Sequence, residues 1–114
     1  MEVRLDFAPG DAEEIVLNIR GNKVVYESEP AQIVVGGHRA PAPLQSGRQR
    51  LIVLLDRTTI EVFASDGLTY LPLPVITPVE NKTLELTGKG GTAELFQLEV
   101  HELNSAWSTS NPKQ

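Results

Sequence analysis

Apolar and polar residues alternate with a period of two along most of the chain, the mark of strands that bury one face and wet the other. Val3, Leu5 and Phe7 alternate with Arg4 and Asp6 before Pro9-Gly10-Asp11 turns the chain. Ile15, Leu17 and Ile19 repeat the pattern up to a tight turn at Gly21-Asn22, and Val24 and Tyr26 continue it. Ile33 to Val35 ends at Gly36-Gly37, and His38 falls in the loop that follows. Leu51 to Leu55 is apolar on both faces, and Asp56-Arg57-Thr58 supplies a turn with Asp at its favoured first position. Ile60, Val62 and Ala64 alternate with Thr59, Glu61 and Phe63, and Ser65-Asp66-Gly67 suits a three-residue hairpin loop. Pro72 and Pro74 confine the next strand to an edge or a loop, because proline brings no N–H to a ladder. Leu84 and Leu86 mark another strand, and Gly88-Lys89-Gly90-Gly91 reads as another hairpin turn. Ala93 to Leu103 fits a helix through Phe96, Val100 and Leu103, or a strand through Phe96, Leu98 and Val100; the glycine turn before it favours the strand.

Short strands spaced about ten residues apart predict an all-β fold, an antiparallel two-sheet β-sandwich. At 114 residues the chain makes one domain, placed over 1–107, with a polar tail over 108–114. The net charge of −5 and the scattered basic residues argue against nucleic acid, which calls for a basic face. No run approaches 18 apolar residues and no apolar signal core follows Met1, so a soluble chain with no membrane segment is expected. Cysteine is absent, which removes disulfides and thiolate metal sites.

Candidate chemistry is sparse. Glycoside hydrolysis needs two carboxylates facing one another across a cleft, and Asp56, Glu61 and Asp66 are the nearest in sequence. Asp56 and Asp66 stand where turns favour Asp, and Glu61 is expected to pair with an arginine. His38 and His101 lie far apart with no metal-ligand spacing, so neither metal nor cofactor is expected. The glycine run 88–91 lacks the Lys-Ser/Thr of a phosphate loop. Asn81-Lys82-Thr83 is a formal glycosylation sequon on a surface turn. Of six aromatics, Phe7, Tyr26 and Phe96 are assigned to the core by alternation. Phe63, Tyr70 and Trp107 remain, of which Tyr70 and Trp107 are the substrate-binding candidates, and sugars are expected to bind no tighter than about millimolar. Ile52, Leu54, Phe63, Tyr70 and Leu71 form the expected interface, since Ile52, Leu54 and Phe63 are apolar on the face opposite the core.

The stretch from Gly37 to Val75 carries a more specific signal. It runs Gly-His-Arg-Ala-Pro-Ala-Pro-Leu, then Gly47-Arg48-Gln49-Arg50-Leu51, then Asp56-Arg57-Thr58-Thr59-Ile60-Glu61-Val62-Phe63-Ala64-Ser65-Asp66-Gly67. This resembles the C-terminal β-sandwich domain of glycoside hydrolase family 32, the invertases, levanases and other β-fructosidases. The close of the chain, Leu98-Glu99-Val100-His101-Glu102-Leu103 with Ser105-Ala106-Trp107, is similar to the way such domains end. The likeness implies a sandwich of concanavalin A-like or jelly-roll type and a strand for the last segment.

It also implies a non-catalytic module with a structural or docking role. In that family catalysis belongs to an N-terminal five-bladed propeller with a Trp-Met-Asn-Asp-Pro-Asn-Gly-like nucleophile motif, an Arg-Asp-Pro and a Glu-Cys. None of the three occurs in this sequence. The implied partners are such a propeller or a second copy of the chain, and family members are often secreted or periplasmic. By the same likeness the chain begins about one strand into the domain. A free-standing carbohydrate- or protein-binding sandwich is the competing expectation.

Overall fold

The computed structural model describes residues 1–77 and 80–102. Ten strands run in chain order: β1 (Glu2–Ala8), β2 (Glu14–Ile19), β3 (Asn22–Glu27), β4 (Gln32–Val35), β5 (His38–Pro41), β6 (Gln49–Leu55), β7 (Thr59–Ala64), β8 (Thr69–Pro74), β9 (Leu84–Lys89) and β10 (Glu94–His101). They form two five-stranded antiparallel sheets. Sheet A has the order β10-β1-β6-β7-β8, and sheet B has the order β5-β4-β3-β2-β9. This is the expected two-sheet sandwich, and the last segment is a strand.

The alternation decides what lies between the sheets. Sheet A turns Val3, Leu5, Phe7, Leu51, Val53, Leu55, Ile60 and Val62 inward, and sheet B answers with Ile15, Leu17, Ile19, Val24, Tyr26, Ile33 and Val35. All of these side chains are buried. Phe7 and Tyr26 meet edge to face at the centre, their rings 5.7 Å apart, a geometry that aromatic quadrupoles favour. Burial pushes the Tyr26 phenol up from its ordinary value.

Consecutive strands pair through short turns within β2-β3-β4-β5 and within β6-β7-β8. Arg20 and Gly21, both at positive φ, make the two-residue loop of the first hairpin, and Gly36-Gly37 makes the third turn the same way. The loop histidine of the sequence reading is instead the first residue of β5, which pairs with β4 through Val35↔His38. β5 is short and has no fully buried side chain, so it shows no apolar rhythm. Pro72 and Pro74 lie in β8, which is an edge strand, as proline requires.

The glycine run near 90 is a corner and not a hairpin. β9 belongs to sheet B and β10 to sheet A, so the chain crosses the sandwich there, as it does between β1 and β2. The two corners lie against each other. The Glu13 N–H donates to the Lys89 carbonyl at 2.8 Å, and the Thr92 N–H donates to Asp11 Oδ1 at 2.7 Å. A Cβ on Gly91 would stand 2.4 Å from the Asp11 carbonyl oxygen, so this approach admits only glycine.

A second departure lies in β10. Asp6 faces Gln97, but Phe7 faces Leu95, so Phe96 is the extra residue of a β-bulge. The bulge takes Phe96 out of the alternation that assigned it to the core. Its ring is 44% exposed, with the Arg48 guanidinium 3.9 Å above it.

Candidate functional site

Register places the outward side chains of sheet A in transverse rows. One row reads Glu99, Arg4, Ile52, Phe63, Tyr70 across β10, β1, β6, β7 and β8. Beside it runs Gln97, Asp6 and Arg50, which ends at the turn carrying Asp66. Rows on one face of a strand are two residues apart, about 7 Å. Between them lies an open groove of about 450 Å³, lined by Arg4, Asp6, Arg50, Ile52, Phe63 and Asp66 among others.

The polar row is fixed by charge. Arg48 donates to both oxygens of Asp6, at 3.2 and 2.7 Å, and Arg50 adds a bond of 3.3 Å. The Arg48 hydrogen bond, with the field of the two guanidinium groups, holds the Asp6 carboxyl below the ordinary carboxylate range. Arg50 Nη1 also reaches both oxygens of Asp66 at 3.2 Å, so one guanidinium ties a strand carboxylate to a turn carboxylate. Asp66 raises the Arg50 pKa further.

The turn that presents Asp66 is strained and held from beneath. Ser65 and Asp66 both have φ of 54°, where a non-glycine side chain costs about 1–2 kcal/mol. Gln49 is fully buried under the turn. Its Oε1 accepts the Ser65 N–H at 2.7 Å and its Nε2 donates to the Ala42 carbonyl at 3.1 Å. Ser65 Oγ donates to the Pro43 carbonyl at 2.7 Å. The segment from Pro41 to Gln49 therefore closes this end of the sandwich and leaves the outer face of sheet A open.

Of the five residues expected at an interface, Ile52, Phe63 and Tyr70 lie in the first row and Leu54 lies one row along on the same face. Ile52, Leu54 and Phe63 point outward and are half-buried, and Tyr70 is 52% exposed. Phe63 and Tyr70 stack with ring centroids 4.8 Å apart. Leu71 lies on the opposite face: it pairs with Val62 and packs against the core. Trp107 lies outside the described residues.

The carboxylates weighed for catalysis do not converge. Asp56 accepts the Thr58 and Thr59 N–H groups at 2.8 Å each, which lowers its pKa and fixes the β6–β7 turn. Glu61 takes no arginine; the Tyr70 hydroxyl donates to it at 2.7 Å, and that carboxylate raises the phenol's pKa. His101 stands 3.2 Å from Glu99 at the far end of β10, and His38 is on the exposed edge β5. Among the described residues no three His, Asp or Glu side chains gather as a metal site.

A second group of exposed apolar side chains lies on the edge strand β10. β9 and β10 are the edges of their sheets on one side of the sandwich and make no ladder with each other. There Leu95, Leu98 and Val100, whose register partners Phe7, Leu5 and Val3 are buried, remain 50, 40 and 39% exposed. Periodicity set Leu98 and Val100 on one face, the bulge at Phe96 brings Leu95 onto it, and the sheet order leaves all three partly open among the described residues.

The family model described as "Glycosyl hydrolases family 32 C terminal" matches residues 1–102. The chain belongs to this family. Among curated relatives of this family 32 C-terminal domain, a levanase of Bacillus subtilis (strain 168) is 26% identical over 96% of the chain and 20% of its own length. A levanbiose-producing levanase of the same organism is 36% identical over 59% of the chain and 13% of its own length. The extracellular exo-inulinase inuE of Aspergillus ficuum is 30% identical over 62% of the chain and 13% of its own length. The family 32 domain thus spans a fifth or less of these relatives. In shape it is similar to part of an exo-inulinase from Aspergillus awamori, with a TM-score of 0.72 at 22% identity, over 82% of this chain and 23% of that one. Among the described residues no helix is long and apolar enough to cross a membrane.

Proposed function

We propose that the chain is a non-catalytic module that packs on the catalytic propeller of a family 32 hydrolase acting on a fructan, and that it cleaves no glycosidic bond itself. The observation that carries the docking role is the row Leu95, Leu98 and Val100 on β10, which remains 39–50% exposed among the described residues. Full burial of such side chains contributes about 1.5–3 kcal/mol each, so covering the exposed parts of these three would add about 1 kcal/mol apiece. The non-catalytic half of the reading is supported by the carboxylates. Asp56 and Asp66 are tied to turn amides and to Arg50, and Glu61 is bonded to a phenol that does not titrate near neutral pH.

The test mixes the chain with a family 32 levanase catalytic domain lacking its own sandwich and follows the mixture by sedimentation. A one-to-one complex weakened at least tenfold by Leu98→Lys is expected, with fructose release from levan by the chain alone equal to a buffer blank. Fructose release lost in Glu61→Gln would overturn the non-catalytic reading. Failure to form the complex, or a homodimer broken by Leu98→Lys in its place, would overturn the docking reading.

A further inference from the structure

We propose that the groove on the outer face of sheet A is a binding site for a neutral oligosaccharide. The inference rests on the groove itself and not on the docking or non-catalytic reading above. Three properties of the face point the same way.

The first is chemical. Sugar recognition needs an apolar surface for the C–H face of a ring and, at its edge, fixed donors and acceptors for hydroxyls. The two rows supply one each. Ile52 and Phe63 are direct cross-strand partners and form the apolar floor, which Tyr70 extends onto β8 by its stack on Phe63. Gln97, Asp6, Arg50 and Asp66 form the polar wall. The rows stand about 7 Å apart, and five strands at about 4.8 Å spacing make the face about 19 Å across. A chain of sugar rings lying across the strands would meet both rows.

The second is electrostatic. Along the groove Arg4 and Arg50 stand with Asp6, Asp66 and Glu99, and Arg48 adds a third positive charge on Asp6. Three cations meet three carboxylates in the groove, and Glu2 beside it pairs with Arg4, so the site offers an anion no net attraction. The groups retain hydrogen-bonding capacity all the same. Arg50 uses Nε and Nη1 for its two carboxylates, and neither hydrogen of Nη2 bonds to a described residue, while half of the side chain faces water. A guanidinium locked by carboxylates with donors to spare suits a polyol, whose hydroxyls donate to one neighbour and accept from the next.

The third is preorganisation. Asp66 is held in a left-handed conformation by the buried Gln49 beneath Ser65, and Phe63 by its stack. A wall ordered before binding loses little entropy when the ligand arrives, which matters for a shallow site of low intrinsic affinity. A millimolar site of this kind serves to hold a polymer near another domain through effective concentration rather than by tight capture.

The test is a chemical-shift titration of the labelled full chain with inulin-type fructo-oligosaccharides, and separately with cello-oligosaccharides and a sulfated oligosaccharide. Saturable shifts on Arg50, Ile52, Phe63 and Asp66, with Kd on the order of 1–10 mM, are expected for at least one neutral probe. Each of Phe63→Ala and Asp66→Ala should weaken binding at least about fivefold, as loss of one ring contact or one fixed hydrogen-bonding group implies. Asp66→Asn, which keeps an acceptor, should weaken it less, and Leu98→Ser on β10 should leave it unchanged. Thermal unfolding of each variant separates lost binding from a lost fold. No saturable shift with either neutral probe up to about 50 mM, shifts confined to β9 and β10, or tighter binding of the sulfated probe would each overturn the proposal.

Discussion

Replacing Gln49 by leucine removes the polar centre under the Ser65–Gly67 turn while keeping nearly the same volume. The wild-type side chain is fully buried and serves the Ser65 N–H through Oε1 and the Ala42 carbonyl through Nε2, both on fully buried residues. Leucine leaves those two backbone groups without a partner, at about 1–3 kcal/mol each, or about 4 kcal/mol together. The apolar side chain returns about 1 kcal/mol on burial, so the net loss is about 3 kcal/mol. The bond to Arg50 N–H is lost as well, but that residue reaches water and is not counted. Urea unfolding followed by Tyr and Trp fluorescence measures the loss. With a slope of about 1.5 kcal/mol/M, the midpoint falls by about 2 M. A fall smaller than about 0.5 M would refute the reasoning, because it would mean that the turn re-forms its bonds without Gln49.

Two further outcomes follow from the packing and the charges. The lowered pKa of Asp6 means that its ion pairs stabilise the fold fully above the ordinary carboxylate pKa of about 3.9 and lose that contribution as pH falls through the lowered folded value. Asp6→Asn should therefore be less stable than the parent at pH 7, with the difference between the two shrinking as pH falls through the lowered folded value. Gly91→Ala must push the Asp11 carbonyl aside and should cost about 1–3 kcal/mol by thermal unfolding. Gly37→Ala meets nothing within 4 Å and should cost only the left-handed penalty of about 1–2 kcal/mol.

The sequence made the inward positions legible because a period of two needs no knowledge of partners. Val3, Leu5 and Phe7, or Ile60 and Val62, are buried where alternation put them. Features that depend on which strand lies beside which were hidden. The Gly88–Gly91 run looks the same whether the chain folds back on its own sheet or crosses to the other, and it crosses. Phe96 kept its apparent phase in the sequence, but a single bulged residue moved it to the surface. The polar row of the groove gathers residues 6, 50, 66 and 97, and only antiparallel register brings positions so distant side by side. The signal that was available lay in Gln49: a polar residue at an inward position beside an apolar run marks a buried network.

The pairing of the first strand with the last has a kinetic consequence. β1 stands between β10 and β6, and its ladder with β10 joins Glu2 to His101, 99 positions apart. Sheet B can assemble its β2-β3-β4-β5 meander from neighbours in sequence, whereas β1 finds no partner in sheet A until β6 exists and gains its second only with β10. Loop closure over such spans precedes any reward from the contacts it allows, which places the chain among slow-folding topologies. Val3, Leu5 and Phe7 therefore gain no neighbour in their own sheet until β6 has formed. The charged residues Glu2, Arg4 and Asp6 between them break up what would otherwise be a continuous apolar strand open to aggregation.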